Sequence, residues 1–403
     1  MNLWNSAPEP DSIVTSAEIY LDAAATTPPL PEVISTVTQR QQDAWANPSS
    51  LHGSGLAAAE CLGRARQTMA NQLDCSPDDL IFTPGATESI HLALLGAAAG
   101  LETGRLVISA VEHPAVEAAA EQLKRRGWSL ERWPVDHSGR IAMEHMDRLL
   151  APPTRLVSII WGQSEVGTIQ PIPSLAAACR ERGIRFHTDA TQLIPQGVIS
   201  WQHSCIDLLT FSSHKLQGPR GVGVLLHRPG VVAEAQLGGG GQEGGFRAGT
   251  EPVPLLAGLA TALAQLPPFD PEVEPTPPGA SPAVRPGRDA LQIHLASLAG
   301  VTVLNPDLDH RLPHHLACLI ADAAGRPLPA RQLVRELSRL GVACSSGTAC
   351  QSGQRQDSAV LTAMGIEPSW RQSLLRFTLG PWLSDADLAA VPARLQTAIL
   401  ACA

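Results

Sequence analysis

Short apolar segments alternate with segments of helical spacing between residues 80 and 224, and this alternation constrains the fold more than any other feature. A turn of small or polar residues follows each apolar segment and leads into the next stretch of helical periodicity. The apolar segments lie at 80–82, 106–109, 155–161, 184–189 and 206–211. Strands that alternate with helices at this spacing form a parallel sheet covered on both faces. The sequence therefore predicts an α/β fold.

A break in composition divides the chain. Its 403 residues are enough for two or three domains. Proline occurs eight times within 267–286, and this density predicts an extended segment at a domain junction. We expect a large domain over 18–266, the junction over 267–286, and a smaller α+β domain formed by 287–403 together with 1–17.

Composition also excludes several classes of protein. A hydrophobic fraction of 44% with 17% charged residues is typical of a soluble globular protein. A net charge of −9 without a basic stripe argues against a nucleic-acid partner. The first basic residue is Arg40 and no apolar stretch reaches the roughly 18 residues of a membrane span, so we expect no signal peptide, no membrane partner and a cytoplasmic location. Eight cysteines without a Cys-x-x-Cys pair predict neither a disulfide framework nor a metal site.

Lysine is rare in this chain, which contains only Lys124 and Lys215. Lys124 lies in a basic run at the polar end of a predicted helix, as a solvated surface lysine would. Lys215 follows the apolar segment 206–211 and precedes a glycine-rich turn. A lysine at the edge of a core can have a depressed pKa and act as an amine nucleophile. Taken alone, however, Lys215 would more often be an ordinary turn lysine.

Three other predicted strands end in polar residues, on the side where α/β proteins bind ligands. Residues 83–89 form a small-residue turn into a helix, whose free N–H groups can bind a phosphate with help from Thr87. His113 can stack on an aromatic ring or transfer protons. Asp189 closes an apolar strand, where a carboxylate needs a cationic partner such as a protonated pyridine nitrogen. The ordinary alternatives are a capped helix, a capping histidine, and an arginine or helix N-terminus beside Asp189.

The C-terminal part contributes two further candidates. Cys350 lies in the Ser/Gly-rich loop 345–353, where an exposed thiol can act as a nucleophile, whereas Cys344 lies on the apolar approach and is expected to pack. Arg376 lies inside an apolar strand, and a substrate carboxylate bound in bidentate fashion would be a suitable partner for it.

Short motifs spread along the chain occur in the order found in one enzyme family. On these motifs the chain resembles the cysteine desulfurases, pyridoxal-phosphate enzymes of the class V aminotransferase family, over about residues 21–377. The motifs are Ala25-Thr26-Thr27, Asn47-Pro48-Ser49-Ser50-Leu51-His52, Gly85-Ala86-Thr87-Glu88-Ser89, Glu112-His113-Pro114, His187-Thr188-Asp189-Ala190, Ser212-Ser213-His214-Lys215, Arg247-Ala248-Gly249-Thr250, Ser345-Ser346-Gly347-Thr348-Ala349-Cys350 and Arg376-Phe377. The resemblance implies the fold of type I pyridoxal-phosphate enzymes: a large domain with a mainly parallel seven-stranded sheet flanked by helices, and a smaller α+β C-terminal domain.

The same resemblance implies roles for the motif residues. Lys215 would form a Schiff base with pyridoxal 5'-phosphate and move protons at the substrate α-carbon, and Asp189 would pair with the pyridinium nitrogen. Cys350 would take sulfur from L-cysteine as a persulfide, with release of alanine. The remaining roles are ring stacking by His113, a bond to the phenolic oxygen by Gln192, phosphate binding by Ala86, Thr87, Ser212 and His214, phosphate binding in the neighbouring subunit by Thr250, and binding of the substrate carboxylate by Asn47 and Arg376. The family thus implies a homodimer that passes sulfur to an acceptor, such as a scaffold protein for iron–sulfur cluster assembly.

Three positions depart from the family pattern. Ser164, Gly244 and Ala23 stand where the family has asparagine, arginine and asparagine. Ser164 keeps a place in the expected cofactor site, with a contact that is shortened or lost. These departures bear on substrate preference and rate.

Two alternatives remain open at the level of sequence. One is a pyridoxal-phosphate-dependent lyase that cleaves the C–S bond of cystine or cysteine, or acts on selenocysteine, without a persulfide on Cys350. The other is a degenerate family member that acts as a binding or regulatory subunit. The presence of Lys215, Asp189, His113 and Cys350 together argues against the second.

Overall fold

The structure, a computed structural model, describes residues 18–267, 284–305, 310–347 and 357–403. The elements of the first range are β1 Ile19–Tyr20, α1 Pro31–Asp43, α2 Gly53–Leu73, β2 Leu80–Thr83, α3 Ala86–Ala98, β3 Arg105–Ser109, α4 Pro114–Arg125, β4 Ser129–Trp133, α5 Met146–Leu150, β5 Thr154–Ser158, α6 Ile172–Glu181, β6 Arg185–Asp189, β7 Leu208–Ser212, β8 Gly223–His227 and α7 Val253–Leu263. The later elements are α8 Arg285–Ala296, β9 Val301–Val303, β10 His315–Ile320, α9 Ala330–Arg339, β11 Val342–Ala343, β12 Ser345–Ser346, α10 Ala359–Ala363, β13 Leu374–Thr378 and α11 Asp385–Cys402. Within these ranges no helix combines the length and the apolar character that crossing a bilayer requires.

A seven-stranded sheet forms the centre of the first range. Its order is β2-β8-β7-β6-β5-β3-β4, and neighbouring strands are parallel except at β8, which runs antiparallel to both β2 and β7. Leu106 and Ile108 of β3 belong to the apolar cluster under α3 and α4, whereas Val107 belongs to the cluster under α2, α6 and α7. Successive side chains of a strand point to opposite faces, so helices cover both faces of the sheet. The predicted α/β fold with a mainly parallel seven-stranded sheet is confirmed.

A second apolar cluster surrounds a four-stranded sheet in the C-terminal part. The sheet has the order β12-β13-β10-β9 with antiparallel pairings, and α8, α9 and α11 contribute apolar side chains to the same cluster. Strand β1 pairs in parallel with β11, which places Ile19 and Leu21 in this cluster as well. Residues 19–21 therefore pack with the C-terminal part, although the predicted large domain begins at 18. The division into domains stays a prediction, and 268–283 of the predicted junction lie outside the described residues.

The carboxyl ends of the parallel strands meet at one edge of the larger sheet. Asp189 and Ser212 end β6 and β7, and His113 and Ser164 lie in the segments that follow β3 and β5. Strand β13 of the smaller sheet brings Arg376 to the same region, where it contacts the Ser164 backbone. The fold thus gathers side chains that are far apart in sequence, from His113 to Arg376.

Candidate active site

A cavity of about 550 Å³ opens at this edge, between the two sheets. Most of the residues that the sequence predicted for the site line this cavity. They are Ala86, Thr87, His113, Ser164, Asp189, Gln192, Ser212, His214, Lys215 and Arg376. Backbone of the turn at 24–26 and side chains such as Thr191 and Arg220, which the sequence did not single out, complete the lining.

The Lys215 amine is held against the turn that follows β1. Lys215 lies in a 3₁₀ turn directly after β7. Its Nζ donates to the backbone oxygens of Ala24 and Ala25 at 2.5 and 2.7 Å. Gln192 Nε2 donates to the same Ala24 oxygen at 3.0 Å. These contacts place the amine in the wall of the cavity, where a bound carbonyl group can reach it.

Asp189 is a buried carboxylate at the bottom of the site. It ends β6, is 4% exposed, and accepts the Thr191 N–H at 3.0 Å. His187 precedes it by two residues and contacts Ser158 Oγ and Thr210 Oγ1. Burial lowers the pKa of His187 to about 3, so this imidazole is neutral and does not compensate the carboxylate. A cationic group bound in the cavity would provide that compensation.

The N-terminus of α3 forms an anion-binding end of the cavity. Hydrogen bonds of the helix begin with Glu88 N–H donating to the Gly85 oxygen at 3.1 Å, which leaves the N–H groups of Ala86 and Thr87 outside the helical ladder. Gly223 of β8 lies directly behind this turn. A Cβ atom at 223 would lie 2.4 Å from the Gly85 carbonyl carbon and 2.8 Å from the Ala86 nitrogen, so only glycine permits this approach.

Ser212 and His214 add side-chain groups to the same cavity. His214 Nδ1 lies 3.1 Å from Thr26 Oγ1. Burial, together with the charges of Lys215 and Arg220, lowers the pKa of His214 to about 4. The imidazole is therefore neutral at pH 7, and as a neutral ring it still carries one N–H donor.

This donor set fits pyridoxal phosphate. The helix N-terminus and the two side chains after β7 suit the phosphate, the buried Asp189 suits a protonated ring nitrogen, and Lys215 suits the aldehyde carbon. His113 lines the cavity and caps α4, with Nδ1 accepting the Ala115 N–H at 3.1 Å. The capping alternative that the sequence left open for His113 is thus present in addition to its place in the cavity wall.

Arg376 connects the smaller sheet to the turn after β1 and to the segment after β5. Its NH2 group donates to Asp22 Oδ1 at 2.8 Å and its NH1 group to the Ser164 carbonyl oxygen at 3.0 Å. The Arg376 side chain is 4% exposed, and Nε is buried without a hydrogen-bond partner among the described residues. Sequence reasoning did not identify Asp22 as a partner of Arg376. The available signal was its place directly before Ala23, one of the three departures from the family pattern.

A smaller side cavity of about 180 Å³ shares three lining residues, His113, Ser164 and Arg376, with the main one. Glu165 also lines it, and its Oε2 accepts the Ser358 hydroxyl at 2.7 Å. Burial raises the pKa of Glu165 to about 7, and the Ser358 hydrogen bond, Arg376 and His113 limit the rise. Sequence reasoning missed Glu165. It follows Ser164, which departs from the family pattern, but nothing in the sequence marked Glu165 itself as a site residue.

Two predicted site residues lie elsewhere, and a third is not described. Asn47 is exposed in the loop after α1, where its Oδ1 accepts the Ser49 N–H, and Thr250 is exposed before α7. Neither is among the residues that line the cavity, so their roles stay predictions. Cys350 lies outside the described residues. Cys344 is buried in the C-terminal apolar cluster, as expected for a packing residue, and burial raises the pKa of its thiol well above the usual range.

Comparison with known proteins agrees with this geometry. The sequence profile of the family described as aminotransferase class-V matches residues 19–390. A cysteine desulfurase of Cereibacter sphaeroides is 37% identical over 374 residues, which cover 92% of either chain. Among solved structures, a NifS-like protein superposes with a TM-score of 0.83 at 28% identity over 95% of this chain and 99% of that one. A structure described as SspA in complex with cysteine gives a TM-score of 0.77 at 29% identity over 91% and 100%.

Proposed function

The chain belongs to the class-V aminotransferase family, and we propose that it works as a cysteine desulfurase that uses pyridoxal phosphate to move sulfur from L-cysteine to Cys350, with L-alanine as the second product. The observation that carries the proposal is one cavity lined by Lys215, Asp189, His113 and Arg376. The proposed reaction of an amino acid with the cofactor requires these four groups: an amine nucleophile, a buried carboxylate, an imidazole and a buried guanidinium. The desulfurase related to this chain over most of its length supports the choice of substrate.

The cofactor, when bound, supplies an electron sink for bonds at the substrate α-carbon. The chain's own residues hold and orient the reacting groups. Asp189 would keep the ring nitrogen protonated, and the first turn of α3 with Ser212 would hold the phosphate. Arg376, which lines the cavity, would bind the substrate carboxylate.

Two residues are placed to move protons. The Lys215 amine and the His113 imidazole line the same cavity, and both side chains can carry a proton. Over the whole reaction the Cβ–S bond of cysteine breaks, an S–S bond forms on Cys350, and the proton lost by the Cys350 thiol balances the proton gained at Cβ. The product is L-alanine, and no external oxidant or reductant is needed.

Chain length brings Cys350 within range of the site. Gly347, the last described residue before it, lines the side cavity that adjoins the main one. Three residues of chain span at most about 11 Å, so Cys350 lies no farther than that from Gly347. Covalent geometry therefore supports the role assigned to this thiol.

The proposal includes a homodimer. Several large apolar side chains are exposed on one continuous stretch of chain, including Ile34 of α1, Trp45, Leu51 and Leu56 of α2, with exposed fractions of 53%, 66%, 91% and 56%. Exposed apolar groups concentrated in this way are typical of protein–protein contacts. A second copy of the chain is the occupant we propose, and Thr250 would then contribute to the neighbour's phosphate site.

We also propose that the persulfide is passed to a protein acceptor, such as a scaffold for iron–sulfur clusters, and that the protein is cytoplasmic. The cysteines among the described residues are free thiols, which suits a reducing compartment. Fractionation of cells that produce the protein would test the location.

The direct test of the function is to supply L-cysteine to the purified protein. We expect equimolar L-alanine and sulfide in the presence of a thiol reductant, and alanine limited to about one turnover without it, because the persulfide then stays on the enzyme. Formation of pyruvate and ammonia instead of alanine would show a C–S lyase.

A further inference from the structure

The side cavity next to His113 has the position of a pocket for the substrate's side chain. It shares His113, Ser164 and Arg376 with the main cavity, and Gly347 and Ser358 also line it. In the sequence, these last two residues flank the segment that carries Cys350.

The size of the side cavity suits a small side chain. A volume of about 180 Å³ is roughly six times the 30 Å³ that one water molecule occupies in the liquid. A CH₂–SH group therefore fits with space remaining for water.

Glu165 supplies a carboxyl group to this cavity. One oxygen, Oε2, accepts from Ser358, and the other has no hydrogen-bond partner among the described residues. Ser358 is 2% exposed and also caps α10 through the Leu361 N–H, so the carboxyl group is held by a rigid partner. The free oxygen is available to a donor that enters the cavity.

Resting on the desulfurase function proposed above, we propose that Glu165 determines specificity for the protonated thiol of L-cysteine: its carboxylate accepts the substrate S–H and repels a substrate with an ionised side chain. Selenocysteine is the relevant competitor, because a selenol is a stronger acid than a thiol and is ionised at neutral pH. A selenolate next to a carboxylate in a partly buried cavity meets a repulsion that water screens poorly.

Several other ionisable groups lie near Glu165 and also influence the charge in the side cavity. His113 of α4 and Arg376 of β13 favour its ionised form, and Glu112 and Glu117 also line the cavity. Glu117 is ion-paired with Arg132 at 2.6 Å. Glu112 is buried, and burial raises its pKa to about 8. A variant of Glu165 is therefore needed to assign any pH effect to this residue.

The experiment compares kcat/KM for L-selenocysteine and L-cysteine in the wild type, Glu165→Gln and the control Glu121→Gln, since Glu121 of α4 lies near Arg132 and does not line the side cavity. In the wild type the ratio of selenocysteine to cysteine should fall about tenfold as the pH rises from about 6 to about 8, because Glu165 ionises in this range. Glu165→Gln should keep a high ratio throughout, and Glu121→Gln should behave as the wild type does.

Binding of L-alanine, measured by the change in cofactor absorbance, provides the second readout. L-Alanine lacks a side-chain heteroatom, so Glu165→Gln should leave its dissociation constant unchanged. A ratio that does not depend on Glu165, an equal effect of Glu121→Gln, or loss of L-alanine binding in Glu165→Gln would each overturn the proposal. Absence of alanine formation from L-cysteine by the wild type would instead reject the desulfurase function itself.

Discussion

Asp22 and Arg376 form a 2.8 Å ion pair that joins the turn after β1 to β13, although the two residues are 354 positions apart. The pair is largely buried, with side-chain exposures of 20% for Asp22 and 4% for Arg376. Such an ion pair fixes the direction of the guanidinium. Asp22 is therefore placed to orient the residue that we expect to bind the substrate carboxylate.

Asp22→Ala should raise KM for L-cysteine about tenfold with a smaller change in kcat, because a charge-assisted hydrogen bond of roughly 1.5–3 kcal/mol no longer orients Arg376. Asp22→Asn keeps an acceptor oxygen and should give a milder effect. Steady-state kinetics of the two variants at saturating cofactor provide the measurement. A KM below that of the wild type would mean that Asp22 competes with the substrate for Arg376.

Lys215 should be the site of covalent cofactor attachment. Borohydride reduction of the purified holoenzyme, followed by peptide mass spectrometry, should find the cofactor on the peptide that contains Lys215. Lys215→Ala should abolish this adduct and lower alanine formation by several orders of magnitude, because it removes both the attachment point and a proton carrier. Since Lys124 is the other lysine of the chain, label on Lys124 would refute the assignment.

The residue pattern alone identified part of the cavity wall, and the family resemblance supplied the other residues that were predicted. Asp189 and His113 were identifiable from the pattern: a polar residue that ends a buried segment of a parallel sheet lies at the ligand-binding edge. The apolar segments also predicted strands to within a few residues, as for β3, expected over 106–109 and observed over Arg105–Ser109.

Contacts between distant segments were beyond the reach of such reasoning. The bonds from Lys215 to the backbone of Ala24 and Ala25 depend on carbonyl groups, which every residue possesses, so no residue type signals them. The Glu165–Ser358 hydrogen bond depends on how the smaller sheet packs against the larger one. The side cavity and its carboxyl group are properties of that packing and became visible only in the structure.

Glu112 should make the stability of the protein fall as pH rises. Its side chain is buried in the segment after β3. Oε1 accepts from Ser109 and from the Ile160 N–H, and Oε2 has no hydrogen-bond partner among the described residues. Burial raises its pKa from 4.5 to about 8, so the folded state binds the proton more tightly than the unfolded state does. The free energy of unfolding should therefore decrease between these two pH values, by up to about 1.4 kcal/mol per pH unit.

Glu112→Gln imitates the protonated form and should remove this part of the pH dependence. Urea unfolding of the wild type and the variant at about pH 5 and pH 8 measures it. We expect similar stabilities at the lower pH and a more stable variant at the higher one. Parallel pH profiles for the two proteins would exclude Glu112 as the source.

The exposed apolar residues of 34–56 should lie in a dimer interface. Sedimentation of the holoenzyme at micromolar concentration should show a dimer, and Leu51→Glu should shift it to monomer because a charge is placed in an apolar contact. Ile293→Glu is the matched control, since Ile293 of α8 is 69% exposed in the C-terminal part and should leave the dimer intact. A wild-type monomer with full cofactor occupancy would contradict both the interface and the role predicted for Thr250.

Cys350 and Cys344 should differ sharply as targets of mutation, although only six positions separate them. Cys344 is 7% exposed in an apolar cluster, and burial raises the pKa of its thiol, so it carries almost no thiolate at neutral pH. The covalent reach of three residues keeps Cys350 within about 11 Å of Gly347 at the side cavity, which allows its thiol to approach the substrate sulfur. Cys350→Ala should keep cofactor and L-alanine binding but reduce alanine formation from L-cysteine by at least about a hundredfold. Cys344→Ala should cost some stability, since it leaves a small void in the core, and leave the rate nearly unchanged.

Mass spectrometry after brief exposure to L-cysteine should find the persulfide on Cys350 in both the wild type and Cys344→Ala. If Cys350→Ala instead retains most of its sulfide release and yields pyruvate and ammonia, the thiol is not the sulfur acceptor and the C–S lyase alternative is correct.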